Sequence, residues 1–189
     1  MKYGAQYRII ELNDGAMSIV RETLNSENLN WKDSLTYNSE EAKKHSSRIS
    51  QQAWIQDPRF CQMFIEIAKA MNVDNGWNLD IHGVEPIQFG VYPEGGKYDW
   101  HVDQHPHPVQ GTVRKISMSL FLNDPSEYEG GEFDLEIYKP GTNPRYETFK
   151  GKKGSAIFFP SGKWHRVRPV TSDDVRKSIV AWFYGSPYT

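Results

Sequence analysis

A chain of 189 residues with 13% aromatic content is long enough for one sizeable core, and its composition argues against a disordered segment. A formal charge of −2 offers no basic field for nucleic acid, and no run approaches the ~20 apolar residues of a membrane-spanning helix. The lone Cys61 leaves no intrachain disulfide framework, and the first residues carry no apolar leader, so a soluble protein of the reducing cytoplasm is expected.

Tyr7–Leu12 reads as a short strand, broken by Asn13-Asp14-Gly15, which also offers an N-cap for a helix over Ala16–Leu24. Asn25–Tyr37 is polar and turn-rich, a loop with Trp31 and Leu35 as anchors, and Ser39-Glu40-Glu41 starts a modest helix toward His45. Ser46–Ile55 has no clear period. Asp57-Pro58 is a strong helix start, with Asp as N-cap and Pro where a missing N–H costs nothing. Phe60, Phe64, Ile67 and Met71 follow at helical spacing and predict one apolar face packed outside a sheet.

After Asn75-Gly76 the pattern turns to period two. Strands are expected over Trp77–Ile81, Glu85–Tyr92, Tyr98–Asp103 and Arg114–Leu122. In the last of these Ile116, Met118, Leu120 and Leu122 share one face, and Ser117, Ser119 and Phe121 the other. Gly131–Tyr138, Arg145–Lys150, Gly154–Phe159, His165–Thr171 and Val175–Tyr184 complete the set. Short strands punctuated by Gly and Pro predict a mainly β (α+β) protein, built as a closed or double-sheet antiparallel architecture.

Alternation along Tyr98–Asp103 points His101 and Asp103 the same way, and Ser161-Gly-Lys-Trp-His165 delivers a second imidazole after a turn. Two histidines and one carboxylate leave open positions on a divalent metal, the arrangement of non-haem Fe(II) oxygenases. The absence of thiolate in the set points away from structural zinc. Two rival sets exist. His105-Pro-His107-Pro could supply imidazoles, although its prolines favour a loop at the mouth of a site, and Asp80-x-His82 is a mirror-image pair. Arg176 shares a face with Ser178, Val180 and Trp182, where a guanidinium could grip a carboxylate bidentately; its neighbour Lys177 is the rival cation on the other face.

Taken with Tyr92 and Tyr98, Ser119-Leu-Phe-Leu-Asn-Asp124, Gly130-Gly-Glu132, Phe158-Phe-Pro-Ser161, His165-Arg-Val167, Pro169-Val-Thr171 and Trp182, the pattern resembles the Fe(II)/2-oxoglutarate dioxygenases. The likeness is to the prolyl-4-hydroxylase-like branch, in its short bacterial and phage form, and runs from about Glu85 to Tyr184. It implies a double-stranded β-helix (a cupin-like jelly roll) with buttressing helices. It also implies one domain over residues 1–189, in which 1–76 support a core formed by 77–189. His101, Asp103 and His165 would hold Fe(II). Arg176 and Ser178 would clamp the distal carboxylate of 2-oxoglutarate, with Tyr92 donating its hydroxyl. A departure is Phe121, where some relatives place a tyrosine on the cosubstrate. The implied reaction consumes O2 and 2-oxoglutarate, releases succinate and CO2, and hydroxylates an unactivated C–H bond, with ascorbate as supporting reductant. A peptidyl proline or other protein side chain is the first substrate expectation. The alternatives are a free amino acid or small metabolite, and a cupin-like metal-binding protein without 2-oxoglutarate chemistry. The sequence sets no oligomeric state.

Overall fold

The period-two segments pair into two antiparallel sheets in the computed structural model, which describes residues 5–26, 29–34, 47–138 and 145–188. The N-terminal part contributes β1 (Arg8–Glu11), α1 (Asp14–Ser26), β2 (Lys32–Asp33), β3 (Arg48–Ile49), β4 (Gln51–Ile55) and α2 (Pro58–Asp74). There follow β5 (Gly83–Val84), β6 (Ile87–Tyr92), β7 (Lys97–His101), β8 (Val113–Phe121) and β9 (Phe133–Glu136). The chain finishes with β10 (Tyr146–Phe149), β11 (Ser155–Pro160), β12 (His165–Val167) and β13 (Arg176–Gly185). Among the described residues the larger sheet runs β1-β11-β8-β13-β6-β4-β2, with β5 also on β13, and the smaller runs β10-β9-β12-β7-β3. This is the double-sheet antiparallel arrangement expected from the strand pattern, in the jelly-roll form that the resemblance implies.

The alternation along β8 sorts side chains as the sequence implies. Ile116, Met118 and Leu120 pack on the helical side with Phe60, Phe64 and Ala68 of α2 and Met17 and Val20 of α1. On the other side Phe121 meets Phe133, Leu135, Phe159 and Val167 in a second core between the sheets. The start of α2 is as expected: the Asp57 carboxylate accepts from the Phe60 N–H at 2.7 Å, and Pro58 occupies the first turn.

Several expectations need correction. Trp77–Ile81 is not a strand. The buried Asn72 side chain donates to the Leu79 carbonyl (2.7 Å) and accepts from its N–H (2.9 Å), so these backbone groups bond to the end of α2 instead of a ladder. Ser46–Ile55, which shows no period, holds β3 and β4. Its signal is masked because Gln52, on β4, is buried on the inner face and hydrogen-bonds to Gln88. The expected loop at Asn25–Tyr37 includes the end of α1 and the two-residue β2, and Trp31 does anchor it, 5.0 Å from the Phe89 ring. Leu35 and the helix expected near Ser39–His45 lie outside the described residues. No helix among the described residues is long and apolar enough to cross a membrane.

Candidate active site

The centre of the inner face is where β12 and β7 meet, with His165 directly opposite His101. Each is preceded by a tryptophan, Trp100 or Trp164, which alternation turns to the outer face, where both are exposed. Each imidazole is oriented the same way. Nδ1 of His101 lies 2.8 Å from the Asp99 carbonyl, and Nδ1 of His165 lies 2.9 Å from the Lys163 carbonyl. A carbonyl only accepts, so Nδ1 carries the proton and Nε2 keeps its lone pair for the site.

Both Nε2 atoms face one carboxylate. His165 Nε2 is 3.3 Å from Asp103 Oδ2, and His101 Nε2 is 3.7 Å from Oδ1. The three residues offer ligand atoms within 4.8 Å of one another. Asp103, however, does not share a strand with His101, as alternation had suggested. β7 stops at His101, and the chain bends so that the N–H groups of Asp103 and Gln104 both donate to the Ser161 carbonyl at 3.0 Å. The Ser161 hydroxyl in turn meets Ser117 of β8 at 2.9 Å. The turn before β12 therefore holds the carboxylate as well as presenting His165.

Electrostatics leave this cluster ready for a cation. Burial, reinforced by the nearby His165, pushes His101 down to about 4, so it is a neutral donor at neutral pH. Burial pushes the Asp103 carboxyl up, but the pull of His165, His101 and the Ser117 hydroxyl is stronger. The carboxyl ends below its ordinary range. The Tyr98 ring stacks on His101 with centroids 3.5 Å apart, and the Arg48 guanidinium covers Tyr98 from 4.5 Å. Phe159 and Phe133 close the other side of His165, at 4.9 and 5.6 Å.

Arg176 points into the same cavity from β13, where it stands opposite Tyr92 of β6. Only 1% exposed, it donates through Nη1 to the Ser178 hydroxyl at 3.1 Å. Its Nε and Nη2 have no acceptor among the described residues. The buried Tyr92 and Phe121 rings flank the guanidinium at 5.1 and 5.7 Å. Lys177 is exposed and its backbone N–H bonds to Asn123, so the rival cation faces outward. The fit behind Arg176 is close. Gly131 has φ +63°, and a Cβ there would lie 2.9 Å from Arg176 Cδ and 3.0 Å from the Tyr128 ring.

The rival histidine sets do not converge. His105 and His107 are exposed, and His105 lines a separate surface groove with Arg114 and Tyr184. His82 and Asp80 form an exposed pair at 2.8 Å. Conversely, Arg48 and Gln88 line the cavity without having been singled out, because they lie on strands whose inward polar residues blur the period.

The residues suit the two groups that the pattern implies. Two imidazoles and a carboxylate, without thiolate, match a hard-to-borderline divalent metal with open positions. A buried guanidinium with two unmet donor atoms matches an anionic ligand, since such donors are costly to bury unanswered.

Comparison with known proteins agrees. A PKHD-type hydroxylase of Psychrobacter sp. is 35% identical over 105 residues, which are 52% of this chain and 38% of that relative's length. The solved prolyl-4-hydroxylase of Pseudomonas putida superposes with a TM-score of 0.66 at 20% identity, covering 96% of this chain and 94% of its own. A Trichoplax adhaerens prolyl hydroxylase, solved with a hypoxia inducible factor peptide fragment, gives a TM-score of 0.64 at 18% identity, covering 95% and 84%. At these identities the structural likeness is one of fold. The family model described as the 2OG-Fe(II) oxygenase superfamily matches residues 87–184, which include His101, Asp103, His165 and Arg176, and the chain belongs to that superfamily.

Proposed function

We propose that the protein is an Fe(II)- and 2-oxoglutarate-dependent dioxygenase that hydroxylates an unactivated C–H bond of a prolyl or other peptidyl residue. The observation that carries this reading is the pairing, in one cavity, of a His-Asp-His cluster with a buried arginine whose Nε and Nη2 lack acceptors. His101, Asp103 and His165 hold the iron. Arg176 and Ser178 take the distal carboxylate of 2-oxoglutarate, and Tyr92 lends its hydroxyl to the cosubstrate. When bound, the metal supplies O2 activation coupled to decarboxylation of 2-oxoglutarate to succinate and CO2. The chain's own work is to orient and to exclude water. The Nδ1 bonds fix the imidazoles, Ser161 fixes the carboxylate, and Tyr98, Phe133 and Phe159 keep the ligand side dry. The resemblance implies hydroxylation over halogenation, since halogenating relatives lack a carboxylate at the place that Asp103 takes. The prolyl substrate class is supported by the names of the structural neighbours, one of which was solved with a peptide.

The test needs no substrate. Anaerobic protein is titrated with Fe(II) and then 2-oxoglutarate, and a weak visible charge-transfer band is expected as the keto acid chelates. With ascorbate and O2 added, slow succinate formation should exceed that of the apo control. Stoichiometric iron binding with neither band nor succinate would move the protein to the cupin-like class without 2-oxoglutarate chemistry.

A further inference from the structure

The strands that carry the two histidines of the cluster also carry an aromatic cleft on their opposite face. Tyr146 of β10 stands opposite Glu136 of β9, and the Glu136 N–H donates to the Trp164 carbonyl at 2.8 Å. Glu136 therefore lies between a tyrosine and a tryptophan, each one strand spacing, about 5 Å, away. With Trp100 and Arg145 these residues line a cleft of about 240 Å³. That is below the ~300–1,000 Å³ of sites for drug-sized ligands and suits one small ring.

Two of the rings are braced. Trp100 meets Tyr146 edge to face at 5.4 Å, and the Arg166 guanidinium, tied to Asp134 at 2.7 Å, lies 4.8 and 5.7 Å from their centroids. This arch covers the Asp134 ion cluster, which accounts for those two side chains. Trp164 has no such duty. It is 49% exposed, and no ring or cation stacks on it among the described residues. A large aromatic face beside a fixed pair of rings is thus left open to solvent.

The polar lining decides what covers it. Glu136 and Arg145 are the charged groups of the cleft, one of each sign, and neither side chain makes a hydrogen bond among the described residues. A cationic ligand would meet Arg145 and an anionic one Glu136, so the lining favours a ligand without net charge. The ligand must also donate and accept, because a carboxylate only accepts and a guanidinium only donates. A proline-rich segment, which aromatic grooves also take, offers carbonyls but no N–H at its prolines and would leave Glu136 unanswered. A pyranose meets every demand. Its ring C–H groups form an apolar face that lies on an aromatic ring, and its hydroxyls donate to a carboxylate and accept from a guanidinium.

We propose that the outer face of the smaller sheet binds a neutral sugar residue of a glycan, stacked on Trp164, with hydroxyls donating to Glu136 and accepting from Arg145. The site is independent of the dioxygenase reading, since it lies across the sheet from the His-Asp-His cluster and uses none of its residues.

The whole chain, with ¹⁵N-labelled tryptophan, is titrated with four neutral trisaccharides, built of α-linked glucose, β-linked glucose, mannose and galactose. Trp100→Phe and Trp164→Phe assign the two indole signals. A saturable shift of both signals with at least one sugar is expected, and no shift with any of the four overturns the proposal. Trp164→Ala and Glu136→Gln should each weaken binding of the active sugar about tenfold, the effect of losing one aromatic or one charge-assisted contact. Unchanged binding in either variant overturns it as well. Glu136→Gln keeps the size of the side chain, so it tests the assignment even where Trp164→Ala fails to fold. Tighter binding of trigalacturonate or of a glucosamine trimer would reject a neutral sugar. A shift with a proline decamer and with none of the sugars would overturn the proposal in favour of peptide docking.

Discussion

His165 and His107 differ in what holds their rings. His165 is buried, tied through Nδ1 to the Lys163 carbonyl and aimed at Asp103, whereas His107 is exposed on its loop. His165→Ala should therefore abolish stoichiometric Fe(II) binding in equilibrium dialysis, and His107→Ala should leave it intact; the opposite result would relocate the metal to the loop. The contrast between Arg176 and Lys177 is of the same kind, one cation buried and the next exposed. Arg176→Ala should raise the KM for 2-oxoglutarate by an amount equal to about 2–5 kcal/mol, the cost of leaving a buried carboxylate without its charged partner. Iron affinity should stay near wild type, and Lys177→Ala should behave like wild type in steady-state kinetics. Both histidines of the cluster and the buried arginine were legible in the sequence, because alternation and a turn suffice to aim them. The route of Asp103 was not, since it depends on a Ser161 carbonyl nearly sixty residues away in the chain.

β12 owes its position to charge as much as to its three residues. Asp134, on β9, has no solvent exposure and accepts from Arg166 (2.7 Å), Arg168 (2.8 Å) and Thr148 (2.7 Å), joining β9, β10 and the His165 strand. Burial pushes its carboxyl up, but the hydrogen bonds from Arg168, Thr148 and Arg166 outweigh it and hold the group below its ordinary value. A carboxyl whose pKa is lower folded than unfolded contributes stability that is present above the unfolded value. That stability is lost as pH falls through the folded one. Asp134→Asn should therefore lower unfolding free energy at pH 7 by about 3 kcal/mol, and urea titrations below pH 4 should show the gap to wild type closing. A gap that is independent of pH would reject the ion cluster as its origin. At this scale α2 was readable from Asp57-Pro58 and β8 from strict alternation. Trp77–Ile81 was misread because its apolar alternation is real, but Asn72 takes the Leu79 backbone groups that pairing would need. β3 and β4 escaped because Gln52 turns inward where a period-two reading expects an apolar side chain.

In the whole molecule the N-terminal elements cover the larger sheet. β4 extends that sheet from β6, and Phe60, Phe64 and Ala68 cover Ile116, Met118, Leu120 and Phe183. We propose that residues 1–76 and 77–189 form one folding unit, the second unable to stand without the first. A 77–189 fragment would expose the helix-side face of the larger sheet, a large apolar patch. It should bind a hydrophobic dye strongly and show no cooperative thermal transition in circular dichroism. A sharp transition in the fragment would make the jelly roll autonomous.

The close seat behind Arg176 reaches beyond this chain. With φ +63° at Gly131 and 2.9 Å between a would-be Cβ and Arg176 Cδ, that loop position and the strand cation compete for the same space. Across divergent homologues the two sites should covary: a side chain at the loop glycine should be found only where the strand arginine has given way to a thinner cation such as lysine. The size of a residue in a connecting turn would then record which cationic anchor a lineage adopted.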